Sequence, residues 1–191
     1  YFLAIKGHKV TVYDAMPKMG GMLRYGIPQY RLPKEVLDME IASIAELGVE
    51  MKNNIRIGKD ITLDEIKSSH DATLVAIGAW KSSSMHISGE DLNGVYGGID
   101  FLRSISLKNP VKLGKRVAVI GGGNSALQEA ILLSDLCKKV YVVQNLEVLT
   151  GEKKLQEQLF KKDNVEIITL SKITELLGDS ELNGIKIEAN G

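Results

Sequence analysis

Hydrophobic and polar positions along this chain switch between a helical period and a strand-like run, and the switches mark its elements. Tyr1-Phe2-Leu3-Ala4-Ile5-Lys6 predicts a helix stopped by Gly7. Lys9-Val10-Thr11-Val12-Tyr13-Asp14 follows as a β-branched strand ending in a carboxylate, then a glycine-bearing loop over residues 17–21. Pro28 and Pro33 make residues 26–33 an ordered non-helical loop. Residues 34–47 place Val36, Leu37, Ile41, Ile44 and Leu47 at helical spacing ahead of Gly48, which predicts a helix with one buried face. A strand is expected near residues 49–52 and a short helix near 63–67. Ala72-Thr73-Leu74-Val75-Ala76-Ile77-Gly78 is nearly continuously apolar and predicts an interior parallel strand, and the Ser- and Gly-rich residues 81–98 read as loop.

From Lys115 the pattern restarts. Arg116-Val117-Ala118-Val119-Ile120 predicts a buried strand, Gly121-Gly122-Gly123 a tight turn and residues 124–136 a helix of good formers. A strand over 139–143, an amphipathic helix over 152–161 and short strands at 165–168, 173–177 and 184–188 complete the series. This order predicts an α/β chain with two Rossmann-like dinucleotide-binding domains in series, both incomplete, with the seam near residues 105–114. The sequence starts at Tyr1 and finishes at Asn190-Gly191, a common hairpin turn pair, and reads as a fragment of something longer.

Composition narrows the partners. Of 191 residues, 44% are hydrophobic and 25% charged, and 24 Lys+Arg balance 24 Asp+Glu. A net charge of zero without basic blocks argues against nucleic acid. No apolar run approaches the roughly 20 residues of a membrane helix, and residues 1–10 lack signal-peptide order, so a cytoplasmic, membrane-free protein is expected. The single Cys137 forms no internal disulfide, Cys-x-x-Cys pair or cysteine-rich metal site, so redox chemistry is left to a bound cofactor.

The sharpest local signal is Gly121-x-Gly123-x-x-Ala126, placed directly after an apolar strand and before a helix. Gly121 permits the turn, the next glycines let a pyrophosphate approach the backbone, and Ala126 lets helix and strand pack closely. Phosphate charge then meets the N–H groups of the helix start, where Asn124 and Ser125 add side-chain hydrogen bonds. About 20 residues on, cofactor preference is set by Val142-Val143-Gln144-Asn145-Leu146-Glu147. No arginine is there to clamp a 2′-phosphate, while Gln144 and Asn145 suit a ribose hydroxyl, so the local chemistry tips toward NAD over NADP, or toward no nicotinamide at all.

In the first half, the glycine turn that should precede a second strand at residues 9–14 is absent. Asp14 then stands at that unit's ribose position, or is a strand-end turn former, and Gly20-Gly21 can bring N–H groups to a second phosphate. The stretch Gly20-Gly21-Met22-Leu23-Arg24-Tyr25-Gly26-Ile27-Pro28-Gln29-Tyr30-Arg31-Leu32-Pro33-Lys34, continued by Gly58-Lys59-Asp60, Ala76-Ile77-Gly78-Ala79, Gly89-Glu90-Asp91-Leu92 and Asp100-Phe101-Leu102-Arg103, resembles the glutamate synthase small-subunit family and its relatives in dihydropyrimidine dehydrogenase and electron-bifurcating transhydrogenases. From Gly121 on, with Lys139-Val140-Tyr141 and Leu155-Gln156-Glu157, the chain is more similar to the thioredoxin reductase branch of the same flavoprotein superfamily.

The resemblance implies an FAD domain (here residues 1–104, without its N-terminal Gly-rich motif) and a partial NAD(P) domain (105–191), with hydride passing from NAD(P)H to the flavin and electrons leaving to a protein or domain that accepts them. It implies that Asp14 binds the FAD ribose, that Gly20, Gly21 and Leu23 line the pyrophosphate loop, and that Arg31 contacts the flavin cofactor. Ile57 would lie by the adenine, Ala76 to Gly78 beside FAD, and Gly122, Gly123, Asn124 and Ser125 around the nicotinamide pyrophosphate. Two departures stand out. Residues 100–115 lack the Cys-x-x-Cys of thioredoxin reductases, and Asn145, Leu146 and Thr150 replace the arginines both families place there for the NADPH phosphate.

Other candidates read as structural. His8, His70 and His86 sit by turns, Cys137 closes a helix as a small hydrophobe, and Glu90 with Asp91 anchors a loop rather than forming an acid/base pair. Trp80 either shields a flavin or packs. No side chain is required as a covalent catalyst or metal ligand. Beside the oxidoreductase stand two alternatives: a dinucleotide-binding or electron-transfer module without NAD(P)H reactivity, and a thioredoxin-reductase-like flavoprotein lacking its cysteine pair. Homo-oligomerisation is left open.

Overall fold

The β-branched segments find partners in three separate sheets. The computed structural model describes residues 1–109 and 111–189, so the turn expected at Asn190-Gly191 lies outside the described residues. Packing divides the chain into two units, Tyr1–Ala79 and Trp80–Gly191.

The first unit runs α1 (Phe2–Ile5), β1 (Thr11–Tyr13), α2 (Gly21–Tyr25), α3 (Lys34–Glu46), β2 (Glu50–Lys52) and α4 (Leu63–Ser69). β1 and β2 pair in parallel with Thr11 opposite Glu50. Thr62 and Glu65 start α4 with reciprocal hydrogen bonds, each side chain accepting the other's backbone N–H. Helix α2 escapes the periodicity because five residues are too few to show one, and tertiary contacts hold it instead. Arg24, buried to 7% exposure, donates from Nε to the Met19 carbonyl at 2.6 Å and pairs with Asp38 of α3. The Tyr25 hydroxyl exchanges hydrogen bonds with the backbone of Lys18.

Two expectations fail in this unit. Only Leu37 of the predicted buried face of α3 is buried, while Val36 and Leu47 are exposed, because two short strands offer little to cover. Residues 72–78 form no strand, and Leu74, Val75 and Ile77 are 83%, 64% and 75% exposed. Apolar content alone makes no strand, since the ladder needs a neighbour's N–H and C=O groups. Among the described residues no strand supplies them.

The second unit runs α5 (Gly98–Ser106), β3 (Arg116–Ile120), α6 (Asn124–Leu136), β4 (Lys139–Val143), α7 (Lys153–Leu159), β5 (Val165–Ile168), β6 (Ser171–Gly178) and β7 (Leu182–Ala189). A parallel sheet in the order β3-β4-β5 sets Val117 opposite Val140 and Val140 opposite Val165. Helix α6 buries a wide stripe that includes Ala126, Leu127, Ala130, Ile131 and Leu133. Asn164 helps close its C-terminal end, its Nδ2 donating to the carbonyl of Ser134 at 2.7 Å and of the C-cap residue Cys137 at 3.0 Å. Leu127, Ala130, Val140 and Val142 are wholly buried in a core that Phe101 and Leu102 of α5 join. The packing boundary, between Ala79 and Trp80, therefore falls ahead of residues 105–114, where the sequence pattern puts the seam.

β6 and β7 form an antiparallel hairpin whose inner side, with Val143, Ile173 and Leu176, makes a smaller core under Ile87, Leu92 and Val95. The loop carrying those residues is held by one carboxylate. Glu90 accepts the N–H of Ile87 at 2.8 Å and of Met85 at 3.1 Å, and the Ser84 hydroxyl at 2.8 Å. These bonds hold its carboxyl below the usual range and make it the loop anchor expected from sequence.

Removing the most enclosed core side chain should be expensive. Leu127→Ala is expected to cost about 2–5 kcal/mol of unfolding free energy in urea titration, because Leu127 is 0% exposed and its pocket is closed on all sides.

Candidate functional site

β3 ends at Ile120 and α6 begins at Asn124, so three glycines must reverse the chain. Gly121 adopts φ +120°, a region closed to most L-residues, and its N–H donates to the Val143 carbonyl at 2.8 Å. The Ala126 methyl lies 3.5 Å from where a Gly121 Cβ would stand, which is the close helix approach the motif calls for. At Gly122 a Cβ would sit 2.5 Å from Gln144 Nε2. The Gly122 carbonyl accepts the N–H of both Thr150 and Gly151, each at 2.9 Å, which clamps the loop after β4 onto the turn.

Gly123 is the N-cap of α6, and no side chain caps this helix. Asn124 differs from expectation: its Oδ1 accepts the Glu152 N–H at 2.7 Å and its Nδ2 donates to the Glu152 carboxylate at 3.1 Å, tying it to the start of α7. Ser125 is exposed and makes no side-chain hydrogen bond among the described residues. The first-turn N–H groups of α6, which a helix cannot satisfy internally, thus remain open to an anion.

Gln144 is 5% exposed and serves its own loop, its Oε1 accepting the Asn145 N–H at 3.1 Å. A cleft of about 210 Å³ opens at the carboxyl ends of β3 and β4, lined by Ile120, Gly121, Gln144, Asn145, Ser171 and Lys172 among others. That is where open α/β sheets take ligands.

In the first unit the candidates are less converged. Asp14 Oδ1 accepts the Met16 N–H at 2.9 Å, a turn-forming bond, and the Asp14 carbonyl accepts the Ile55 N–H at 3.0 Å. The end of β1 is thus joined to the loop that leads to Ile57, itself 38% exposed. Gly20 and Gly21 open α2 in positive-φ turns, with Gly20 against Leu37 and Arg24. Leu23 is half-exposed, and its carbonyl accepts the Lys34 ammonium at 2.9 Å. Arg31 is half-buried in the loop before α3. Ala76 and Gly78 lie exposed and form no hydrogen bond to these groups.

Three further residues bear on the sites. Lys172 and Ser171 come from β6, outside the motif, and carry no sequence signal of their own. Glu129 has one, because it interrupts the wide apolar stripe of α6. Its carboxylate lies against Gly98 at the start of α5 without a hydrogen-bond partner among the described residues, and burial pushes its pKa up to about 7. Cys137 is buried and its thiol is raised by that burial, while the Arg103 guanidinium covers Trp80 at 6.0 Å. Among the described residues, no helix is long and apolar enough to cross a membrane and no cluster of His, Cys, Asp or Glu is arranged to hold a metal ion.

A parallel β3-β4-β5 order with a glycine turn opening α6 is the Rossmann-like α/β arrangement of oxidoreductases. Residues 1–191 match the pyridine nucleotide-disulphide oxidoreductase family throughout, and the chain belongs to that family. It is 44% identical over 132 residues to the NADPH-Fe(3+) oxidoreductase subunit beta of Geobacter sulfurreducens, a match covering 66% of this chain and 20% of that protein. It is 35% identical over 137 residues to the glutamate synthase [NADPH] small chain of Azospirillum brasilense, covering 65% of this chain and 28% of the relative. The fold is shared with FprA of Mycobacterium tuberculosis in complex with NADPH, at TM-score 0.80 and 17% identity over 94% of this chain and 56% of that one. The resemblance to the glutamate synthase small-subunit group therefore holds, and the match spans only between about a fifth and about a third of the length of the curated relatives.

Two outcomes follow from this geometry. Gly122→Ala should lower stability by about 1–3 kcal/mol, because its methyl meets the Gln144 amide 2.5 Å away. Adding Gln144→Ala should recover part of that loss, read as a coupling energy in a double-mutant cycle. Glu129 carries the opposite sign from a paired carboxylate: its raised pKa favours the folded state at low pH, and that advantage fades as pH climbs from about 4.5 through about 7. Urea midpoints should fall between pH 5 and pH 8, and Glu129→Gln should flatten the slope.

Proposed function

We propose that the protein carrying this chain is an FAD-dependent oxidoreductase of the glutamate synthase small-subunit type, taking hydride from NAD(P)H and passing electrons to a partner protein or domain. The observation that carries the reading is the Gly121-Gly122-Gly123 turn: backbone in close approach, an uncapped thirteen-residue helix behind it, and a cleft at the strand ends beside it. The open first-turn N–H groups of α6 and the free space at Gly123, where a Cβ would meet only Thr150 Oγ1 at 3.9 Å, fit a dinucleotide pyrophosphate. Hydride transfer between nicotinamide and flavin is the chemistry the cofactors supply when bound. The chain binds and orients: Gly121, Gly122, Gly123 and the first turn of α6 with Asn124 and Ser125 cradle the pyrophosphate, Gln144 braces the loop after β4, and Asn145 offers its amide to a ribose hydroxyl.

In this reading sequence 1–104 belongs to an incomplete FAD-type domain and 105–191 to an incomplete nicotinamide-nucleotide domain. Asp14, Gly20, Gly21, Leu23, Arg31, Ile57, Ala76 and Gly78 are the FAD-side residues. Asp14 Oδ1 accepts the Met16 N–H, and the carboxylate keeps acceptor capacity for a ribose hydroxyl. The residues after β4 carry no cation and by themselves favour NADH, whereas both relatives named above carry NADPH in their names. The same lack of a cation supports a second reading, a dinucleotide or electron-transfer module without NAD(P)H reactivity.

Anaerobic titration of the full-length protein with NADH and NADPH separates the two. Rapid bleaching of the flavin absorbance by either nucleotide is expected. Bound flavin that neither nucleotide reduces would leave only the electron-transfer module.

A further inference from the structure

The loop after β4, which includes Asn145, Leu146, Glu147 and Thr150, carries no cation that could meet a nucleotide 2′-phosphate. The cleft has a second wall. β6 begins at Ser171, whose N–H donates to the Gln144 carbonyl at 3.0 Å, so the start of this strand is stitched to the end of β4. Among the described residues that line the cleft, Lys172 alone is positively charged, and none is acidic. Lys172 is exposed and forms no ion pair or side-chain hydrogen bond among the described residues, even though Glu188 stands opposite it on β7.

We infer that Lys172 is the specificity-determining cation of this site, reading the 2′-phosphate of an adenosine nucleotide from the β6 side rather than from the loop after β4. The inference rests on the reading of the Gly121 turn as a dinucleotide site. An adenosine moiety on the carboxyl ends of β3 and β4 has its ribose at the end of β4, in the cleft that Asn145 and Lys172 both line. An ammonium on a flexible stem suits this position, since it needs no fixed fork geometry, tolerates approach from a neighbouring strand and, being unpaired, has no internal bond to break. A dianionic phosphate gains a charge-assisted hydrogen bond there, while a ribose hydroxyl does not. The arginines missing after β4 are thus replaced in function by a residue that lies outside the local motif.

The test uses 2′,5′-ADP and 5′-AMP, which differ only in that phosphate, titrated calorimetrically into the full-length protein. Wild type should bind 2′,5′-ADP more tightly, and Lys172→Gln should cut the ratio of the two affinities about tenfold, roughly one charge-assisted hydrogen bond. Lys172→Arg should restore the ratio, and raising the salt concentration should shrink it. A ratio that Lys172→Gln leaves unchanged, or a wild-type ratio near one, overturns the inference while the dinucleotide site stands. If wild type binds neither nucleotide, the dinucleotide reading fails and this inference falls with it.

Discussion

The second unit depends on one backbone group, the carbonyl of Gly122. By accepting two N–H groups from the loop after β4, it ties the end of the second strand to the turn that ends the first. The arrangement requires the absence of a side chain at Gly122, because the Gln144 amide fills the space a methyl would need. Gln144 in turn holds the loop through the Asn145 N–H, and Asn124 anchors the start of α7. The same contacts that shape the anion-ready helix start therefore shape the cleft beside it, and a change in either is felt by both.

The two units show how far local apolar content can be trusted. In the second unit, three parallel strands covered by α6 and joined by α5 enclose side chains completely, and Val140 and Val142 have no exposed surface. In the first unit, a two-stranded sheet leaves α3 half-covered and residues 72–78 without a ladder. Burial needs a partner surface, and two short strands supply a small one. Buried polar contacts compensate there, above all Arg24 held by the Met19 carbonyl and Asp38.

Much of this architecture is legible from periodicity. The strand at 116–120, the helix at 124–136 and the strands at 139–143 and 165–168 lie where the pattern puts them, because each is long or β-branched enough to declare its period and each buries a face. Helices α2 and α5 escape it: one is too short to show a period, and the other starts at paired glycines that read as loop. In the site, Gly121, Gly122 and Gly123 are legible because their spacing answers to backbone geometry. The side-chain bonds of Asn124 are not, because a side chain at a helix start chooses among partners that only folding brings near.

The sequence by itself determined that the chain is α/β, that a glycine turn joins an apolar strand to a good helix, and that a single cysteine leaves no Cys-x-x-Cys pair. Those properties reside in neighbouring residues, whose geometry is set by covalent connectivity and local sterics. Only the tertiary structure decided that Gln144 turns inward to brace its loop, that Glu129 is a partly buried carboxyl against α5, that residues 72–78 stand exposed, and that Lys172 shares a cleft with the Gly121 turn. Each of these depends on a neighbour remote in sequence, and burial, charge environment and strand pairing exist only once that neighbour is in place.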